Sequence, residues 1–227
     1  MITVDHLTKE YRMGAEVVSA LDDVSFHVQS GDFVTVAGPS GSGKSTLLMS
    51  LGGLIRPTRG SVQIANVDLY AQSPGELAEF RRKTIGFVFQ QFHLVPYLTA
   101  WENVSLALML NGLPPKHHRR KSMELLERFD LGSRAMHKPN QLSVGQQQRV
   151  AMARTLANDP DVILADEPTA SLDPTLAESL IANLKELNRQ GKTIILVTHS
   201  SELADTGSIR FTLKEGRLSR SATPEMA

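Results

Sequence analysis

Gly38-Pro39-Ser40-Gly41-Ser42-Gly43-Lys44-Ser45 has the pattern G-x-x-x-x-G-K-[ST], and Thr46 follows it. Glycines at these spacings let consecutive backbone N–H groups turn toward phosphate oxygens, and a helix beginning at Lys44 points its positive end at the same anion. Lys44 then reaches the β and γ phosphates of a nucleoside triphosphate, and Ser45 offers a hydroxyl to Mg²⁺, which prefers oxygen ligands. The pattern carries weight only between a strand and a helix. The apolar run Phe33–Ala37 before it and Lys44–Leu51 after it meet that condition.

A second group of carboxylates lies far along the chain. Val162-Ile163-Leu164-Ala165 delivers Asp166 and Glu167 to the carboxyl end of a buried strand, where open α/β sheets keep their ligands. Asp166 suits Mg²⁺ held through its water shell, and Glu167 suits polarising a water for in-line attack on a γ phosphate. Alone, Asp-Glu-Pro is an ordinary strand end with a proline-set turn. Ser143 and Gln146 form an S-x-x-Q capping box around Val144 and Gly145, and the same uncrowded helix start is also a candidate anion site.

These residues must be held by a sizeable core, and 227 residues suffice for one. Without any cysteine there is neither a disulfide nor a thiolate zinc site, which fits a reducing compartment. Twenty-four basic and 24 acidic residues cancel, which argues against nucleic acid as partner. The first residues lack the pattern of a secretory signal, and no apolar run is long enough to span a bilayer. The expectation is therefore no direct membrane insertion, any membrane role coming through a partner.

The punctuation predicts an α/β fold. Short strands in residues 1–37 suggest an antiparallel β portion, followed by a helix over 44–51, a strand over 61–64 and a helix over 74–82. Residues 92–158 read as an inserted α-helical subdomain, with helical periods over 101–110 and 121–129. Strands over 161–165 and 193–197 flank a helix over 174–188 and complete a doubly wound core with a mixed or parallel sheet. The core is assigned to 1–91 and 159–218, and 219–227 is expected to be a frayed tail.

The phosphate loop, Gln90, Leu142–Gln146, Asp166-Glu167, Ser171-Leu172-Asp173 and His199 together resemble, in order and spacing, the motifs of ABC transporter ATPase subunits. The resemblance spans nearly the whole chain. Leu51-Gly52-Gly53-Leu54 and Gly86–Leu94 are most similar to the lipoprotein-release, macrolide-export and cell-division FtsE branch. It implies the P-loop ATPase core, ATP and Mg²⁺ as ligands, and a head-to-tail dimer in which the Ser143, Gly145 and Gln146 signature of one copy faces the other's nucleotide. It further implies that Tyr11 stacks on adenine, Gln90 senses Mg²⁺ and the attacking water, and His199 bonds the γ phosphate. Asp173 would couple the two sites, although before Pro174 it also reads as a helix cap.

The implied partner is an integral membrane permease, placing the chain at the inner face of the cell membrane. Its docking surface would involve Phe92, His93, Leu94, Tyr97 and the helix from Trp101, residues that equally suit a subdomain core. A regulatory ATPase in the FtsE manner, signalling without transport, and a soluble DNA-repair or translation ATPase are the other classes. Val144 departs from the family's usual glycine: at positive φ it would be strained, at helical φ the cost is slight. The frequent acidic residue after the histidine is here Ser200.

Overall fold

The computed structural model describes residues 1–14 and 16–221. Its frame is a six-stranded sheet ordered β10-β9-β3-β8-β7-β6, built from β3 (Phe33–Ala37), β6 (Ile85–Phe89), β7 (Val162–Asp166), β8 (Thr193–Thr198), β9 (Ile209–Lys214) and β10 (Arg217–Arg220). Five strands run parallel, and β10 is antiparallel to β9. A second, antiparallel sheet is ordered β2-β1-β4-β5, from β1 (Ile2–Met13), β2 (Glu16–Val28), β4 (Arg59–Ile64) and β5 (Val67–Asp68).

Strand alternation divides the apolar residues between the two faces of the parallel sheet. Ile163, Ala165, Ile194 and Leu196 point to one core, which also takes Val104 and Leu108 of α3 (Ala100–Leu110), Leu126 of α4 (Pro115–Arg128), Val150 of α5 (Val144–Thr155) and Leu180 of α6 (Pro174–Arg189). Val162, Leu164, Ile195 and Val197 point to the other, shared with Leu47, Leu48 and Leu51 of α1 (Lys44–Leu51) and with the antiparallel sheet. A continuous apolar strand is what burial on both faces demands.

Several elements differ from the sequence expectation. Phe33–Ala37 is not part of the antiparallel portion but a central strand of the parallel sheet, paired with β8 and β9. β1 and β2 are long strands whose register shifts between Val4 and Leu7 and between Lys9 and Glu10, and His6 and Asp23 take positive φ; the irregularities break the alternation that would mark them. α4 begins at Pro115 rather than near 121, because Pro115 takes the first helical position and the residues after it are polar, hiding the period. Ser219 and Arg220, expected in a frayed tail, pair with Thr212 and Phe211, and the Ser221 N–H donates to Arg210 O at 2.9 Å. Residues 222–227 of that expected tail lie outside the described residues.

Register is what serves the site. Phe89 lies opposite Asp166, Asp166 opposite Val197, and Ala37 opposite Thr198. The residues following these strand ends, Gly38, Gln90, Glu167 and His199, therefore emerge at the same carboxyl edge of the sheet. Two further helices lie outside this description of the cores: α2 (Pro74–Thr84), capped by Ser73, and the short α7 (Ser201–Ala204), capped by Ser200, whose hydroxyl accepts from Leu203 N–H.

Candidate active site

At that edge opens a cavity of about 710 Å³ lined by Pro39, Ser40, Gly41, Gly43, Lys44, Ser45, Thr46, Gln90, Glu167 and His199, with Ala20 and Ala170. Three of the loop glycines have physical reasons. Gly41 and Gly43 sit at φ +78° and +104°, and a Cβ on Gly43 would lie 2.1 Å from Ala20 O. A Cβ on Gly38 would lie 2.2 Å from Leu213 O. The loop is thus pressed between a β2 carbonyl and a β9 carbonyl with room for hydrogen only.

α1 has no side-chain cap, whereas Ser73, Thr99, Ser143 and Asp173 cap α2, α3, α5 and α6. Its first amides remain available to an anion. The Lys44 amine donates to Gly38 O at 2.9 Å and Pro39 O at 3.0 Å, and it lies 3.4 Å from Glu167 Oε1. The other carboxylate oxygen, Glu167 Oε2, is 2.8 Å from His199 Nδ1 and accepts from the His199 backbone N–H at 3.2 Å. Glu167 is therefore held between an amine and an imidazole. Its backbone takes φ +45°, a conformation unfavourable for a side chain with a Cβ, and Glu167 N–H donates to Val197 O at 3.1 Å.

Ser45 Oγ donates to Asp166 Oδ1 at 3.1 Å, so a hydroxyl from the loop and a carboxylate from β7 meet directly. Burial raises the Asp166 pKa from its ordinary 3.8, with the neighbouring Glu167 charge adding to the rise, while the Ser45 hydrogen bond and Lys44 oppose it. The hydroxyl, the carboxylate and the Gln90 amide on the cavity wall form an all-oxygen donor set that suits a hard cation such as Mg²⁺.

The remaining expected residues lie elsewhere on one copy. Ser143 caps α5 through Gln146 N–H at 3.3 Å while Gln146 Oε1 accepts from Ser143 N–H at 3.0 Å, completing the capping box. Asp173 caps α6, accepting from Leu176 N–H at 3.0 Å. Gly145 brings these helix starts together, since a Cβ there would lie 2.6 Å from Leu176 Cδ2. Val144 is the first residue of α5, half exposed, and is not among the positive-φ residues. Tyr11 does not line the cavity: it faces Val18 on the hairpin that supplies Ala20, with Lys9 Nζ 5.1 Å from its ring centre.

Of the expected docking residues, Leu94 and Trp101 pack against the core while Tyr97 is 80% exposed. A separate groove of about 350 Å³ runs between β6 and α3, lined by Leu54, Phe87, Phe89, Ala107, Leu110 and Arg154. Arg154 of α5 donates to Phe92 O and His93 O, both at 2.6 Å, tying the helix that carries the signature to the segment after Gln90. Sequence reasoning missed Arg154, Ala20 and Ala170. A basic residue in the last turn of a helix and two alanines carry no local signal.

The loop and the β7 carboxylates fall within a family match: the ABC transporter family model aligns to residues 21–170, and His199 lies beyond the aligned part. The chain belongs to the ABC transporter family. An uncharacterized ABC transporter ATP-binding protein of Thermotoga maritima is 49% identical over 210 residues, 92% of this chain and 90% of its own length. Macrolide export ATP-binding/permease protein MacB of Hyphomonas neptunium is 44% identical over 218 residues, 96% of this chain but 34% of MacB. The solved dimeric post-hydrolysis state of the ATP-binding cassette MJ0796, bound to ADP and Pi, superposes with a TM-score of 0.89 at 44% identity, covering 98% of this chain and 100% of that one. MJ0796 is a protein of Methanocaldococcus jannaschii.

Two substitutions follow from this ABC cassette's geometry. Because the folded pKa of Asp166 is raised, its ionisation costs stability as pH climbs from 3.8 through the raised value, and that loss persists at neutral pH. Asp166→Asn is expected to raise Tm at pH 7 without nucleotide or Mg²⁺, by an amount that shrinks toward the acid limit, as a calorimetric pH series would record. Val144→Gly is expected to leave steady-state turnover near the parent's, because Val144 begins α5 without a positive φ and keeps its backbone N–H; rescue of an inactive parent would show that the valine blocks the site.

Proposed function

We propose that this chain is the ATP-hydrolysing motor subunit of a membrane ABC transporter of the lipoprotein-release and macrolide-export type. The observation that carries the reading is the convergence of Lys44, Glu167 and His199 on one cavity at an uncapped helix start. Family membership makes the chain an ABC ATPase subunit, and the solved structure of MJ0796 with ADP and Pi supports hydrolysis here.

In this mechanism the substrate's phosphates lie against the amides of Gly43 to Thr46 at the start of α1, and Lys44 exchanges its loop carbonyls for phosphate oxygens. Mg²⁺, which Ser45, Gln90 and Asp166 would hold, supplies charge neutralisation across the phosphates when bound. Once phosphate draws Lys44 away from Glu167, the carboxylate loses a neutralising neighbour and becomes a better acceptor for the proton of an attacking water. His199 fixes the orientation of that carboxylate through Nδ1–H and the backbone N–H. While Nδ1–H is so engaged, Nε2 can donate to a γ-phosphate oxygen only if the ring is imidazolium.

One copy does not bring Ser143, Gly145, Gln146 or Asp173 to its own cavity, and a second copy placed head to tail would supply them, with Tyr11 as the stacking platform for adenine. The dimeric form of MJ0796 supports that assembly. Closing the dimer on two ATP molecules and reopening it after hydrolysis is the work-producing difference. A permease helix would enter the groove between β6 and α3, where Arg154 couples it to both Phe92-His93 and α5. The chain would then sit at the cytoplasmic face of the membrane. The runner-up is an FtsE-like regulator, which uses the same cycle without moving a substrate.

Glu167→Gln should retain ATP binding, lower turnover at least ~100-fold, the range a lost general base accounts for, and accumulate as a dimer in light scattering with Mg-ATP. Turnover at the parent rate would remove Glu167 from this role. Affinity purification from detergent-solubilised membranes should recover an integral membrane protein whose presence changes the ATPase rate; stimulation by a transported compound selects the exporter over the regulator, and recovery of no membrane partner refutes both.

A further inference from the structure

The first two turns of α4 read Lys116-His117-His118-Arg119-Arg120-Lys121, and residues 103–123 contain no aspartate or glutamate. In a chain whose charges cancel overall, this is a strong local segregation. It does not serve the helix, because cations at a helix N-terminus oppose the backbone dipole. Nor does it serve internal ion pairing. Of the four Lys and Arg residues in the run, Arg120 has the one ion pair found among the described residues, with Glu124 at 3.2 Å, and Lys116 and Arg119 are exposed.

The run is presented on a fixed scaffold. Ser122 and Ser105 share a buried hydrogen bond of 3.1 Å between α4 and α3, and the ring of buried His118 bonds Leu113 O at the turn. Beside the cations opens a mostly apolar slot of about 470 Å³ between the two helices, lined by Leu98, Trp101, Leu106, Met109 and Arg119 together with Glu102, whose carboxylate accepts from the Thr99 N–H and hydroxyl in the cap of α3. Met109 and Leu110, at the end of α3, are 57% and 62% exposed. Leu110 also lines the groove between β6 and α3, so basic turn, apolar slot and groove share one corner of the molecule.

We infer that this corner is an anionic-lipid contact, in which the α4 cations meet phospholipid headgroups and the α3–α4 slot takes the apolar chain region next to them. The charge selects the partner class: a basic cluster beside exposed apolar side chains matches an anionic bilayer surface, which offers negative charge and hydrocarbon side by side. Neutral bilayers offer only the second, and nucleic acid phosphates only the first. The contact is adsorption, not insertion, and adds to whatever hold a permease provides. It needs no nucleotide, so its failure and that of the ATPase reading are separable.

Trp101 is the single tryptophan of the chain and lies in the slot, which supplies a direct readout. The purified full chain is mixed at low salt with vesicles of equal phosphatidylglycerol and phosphatidylcholine, or of phosphatidylcholine alone, and followed by co-sedimentation and Trp101 emission. Binding with an emission shift is expected on the anionic vesicles only, reversed by salt. Replacing Lys116, Arg119 and Lys121 by Glu should lower partitioning at least ~100-fold, about fivefold or more for each charge, with solution ATPase turnover unchanged. The milder K116Q/R119Q pair, checked by circular dichroism, covers a folding failure and should lose at least ~20-fold. Equal binding to both vesicles, no binding to either, parent-like binding of the folded variants, an unshifted Trp101, or tighter binding to a single-stranded oligonucleotide than to the anionic vesicles would each overturn the assignment.

Discussion

The alignment of four parallel strand ends is the constraint on which the rest of the molecule depends. Ala37, Phe89, Asp166 and Thr198 finish close to the same level, so the segments that follow begin within reach of one another although they are spread from residue 37 to residue 198 of the chain. A slip of one residue in any of these ladders would turn its alternating side chains to the wrong core. Both faces are buried, and Ile163, Leu164, Ile194 and Ile195 have opposed assignments within adjacent pairs. Hydrophobic burial therefore fixes the register, and the register places the polar residues.

The polar residues so placed are in mutual tension. Lys44 and His199 both engage the Glu167 carboxylate, the imidazole from the open side of the cavity, while Asp166 sits beside Glu167 with its charge disfavoured by burial. Such a group is poised to gain from cation and phosphate together, because each added charge relieves one already present. The positive φ of Glu167 belongs to the same pattern: the backbone turns there as the carboxylate is aimed between Lys44 and His199.

Much of this was legible in local residue order. The phosphate loop predicted the start of α1, Pro174 after Asp173 predicted a capped α6, and S-x-x-Q predicted the cap of α5, because capping and tight turns are written in a few adjacent residues. The onset of α4 was not legible, since its first turns are cationic and carry no apolar period. Nor were Ala20 and Ala170, whose presence at the cavity is a matter of how distant elements pack. The bulged β1 and β2 hid their length by interrupting their own alternation. Val144 shows the reverse: the sequence posed a question about φ, and the helix it begins answers it.

The crowding of Gly38 and Gly43 by the carbonyls of Leu213 and Ala20 has a consequence for energetics. A loop wedged between two strands from different sheets is moulded when the protein folds, so the entropy of shaping it is spent then and not charged against an arriving ligand. The antiparallel hairpin and β9, the neighbour of β3 in the parallel sheet, act as the two jaws of a vice that set the shape of the cradle between them.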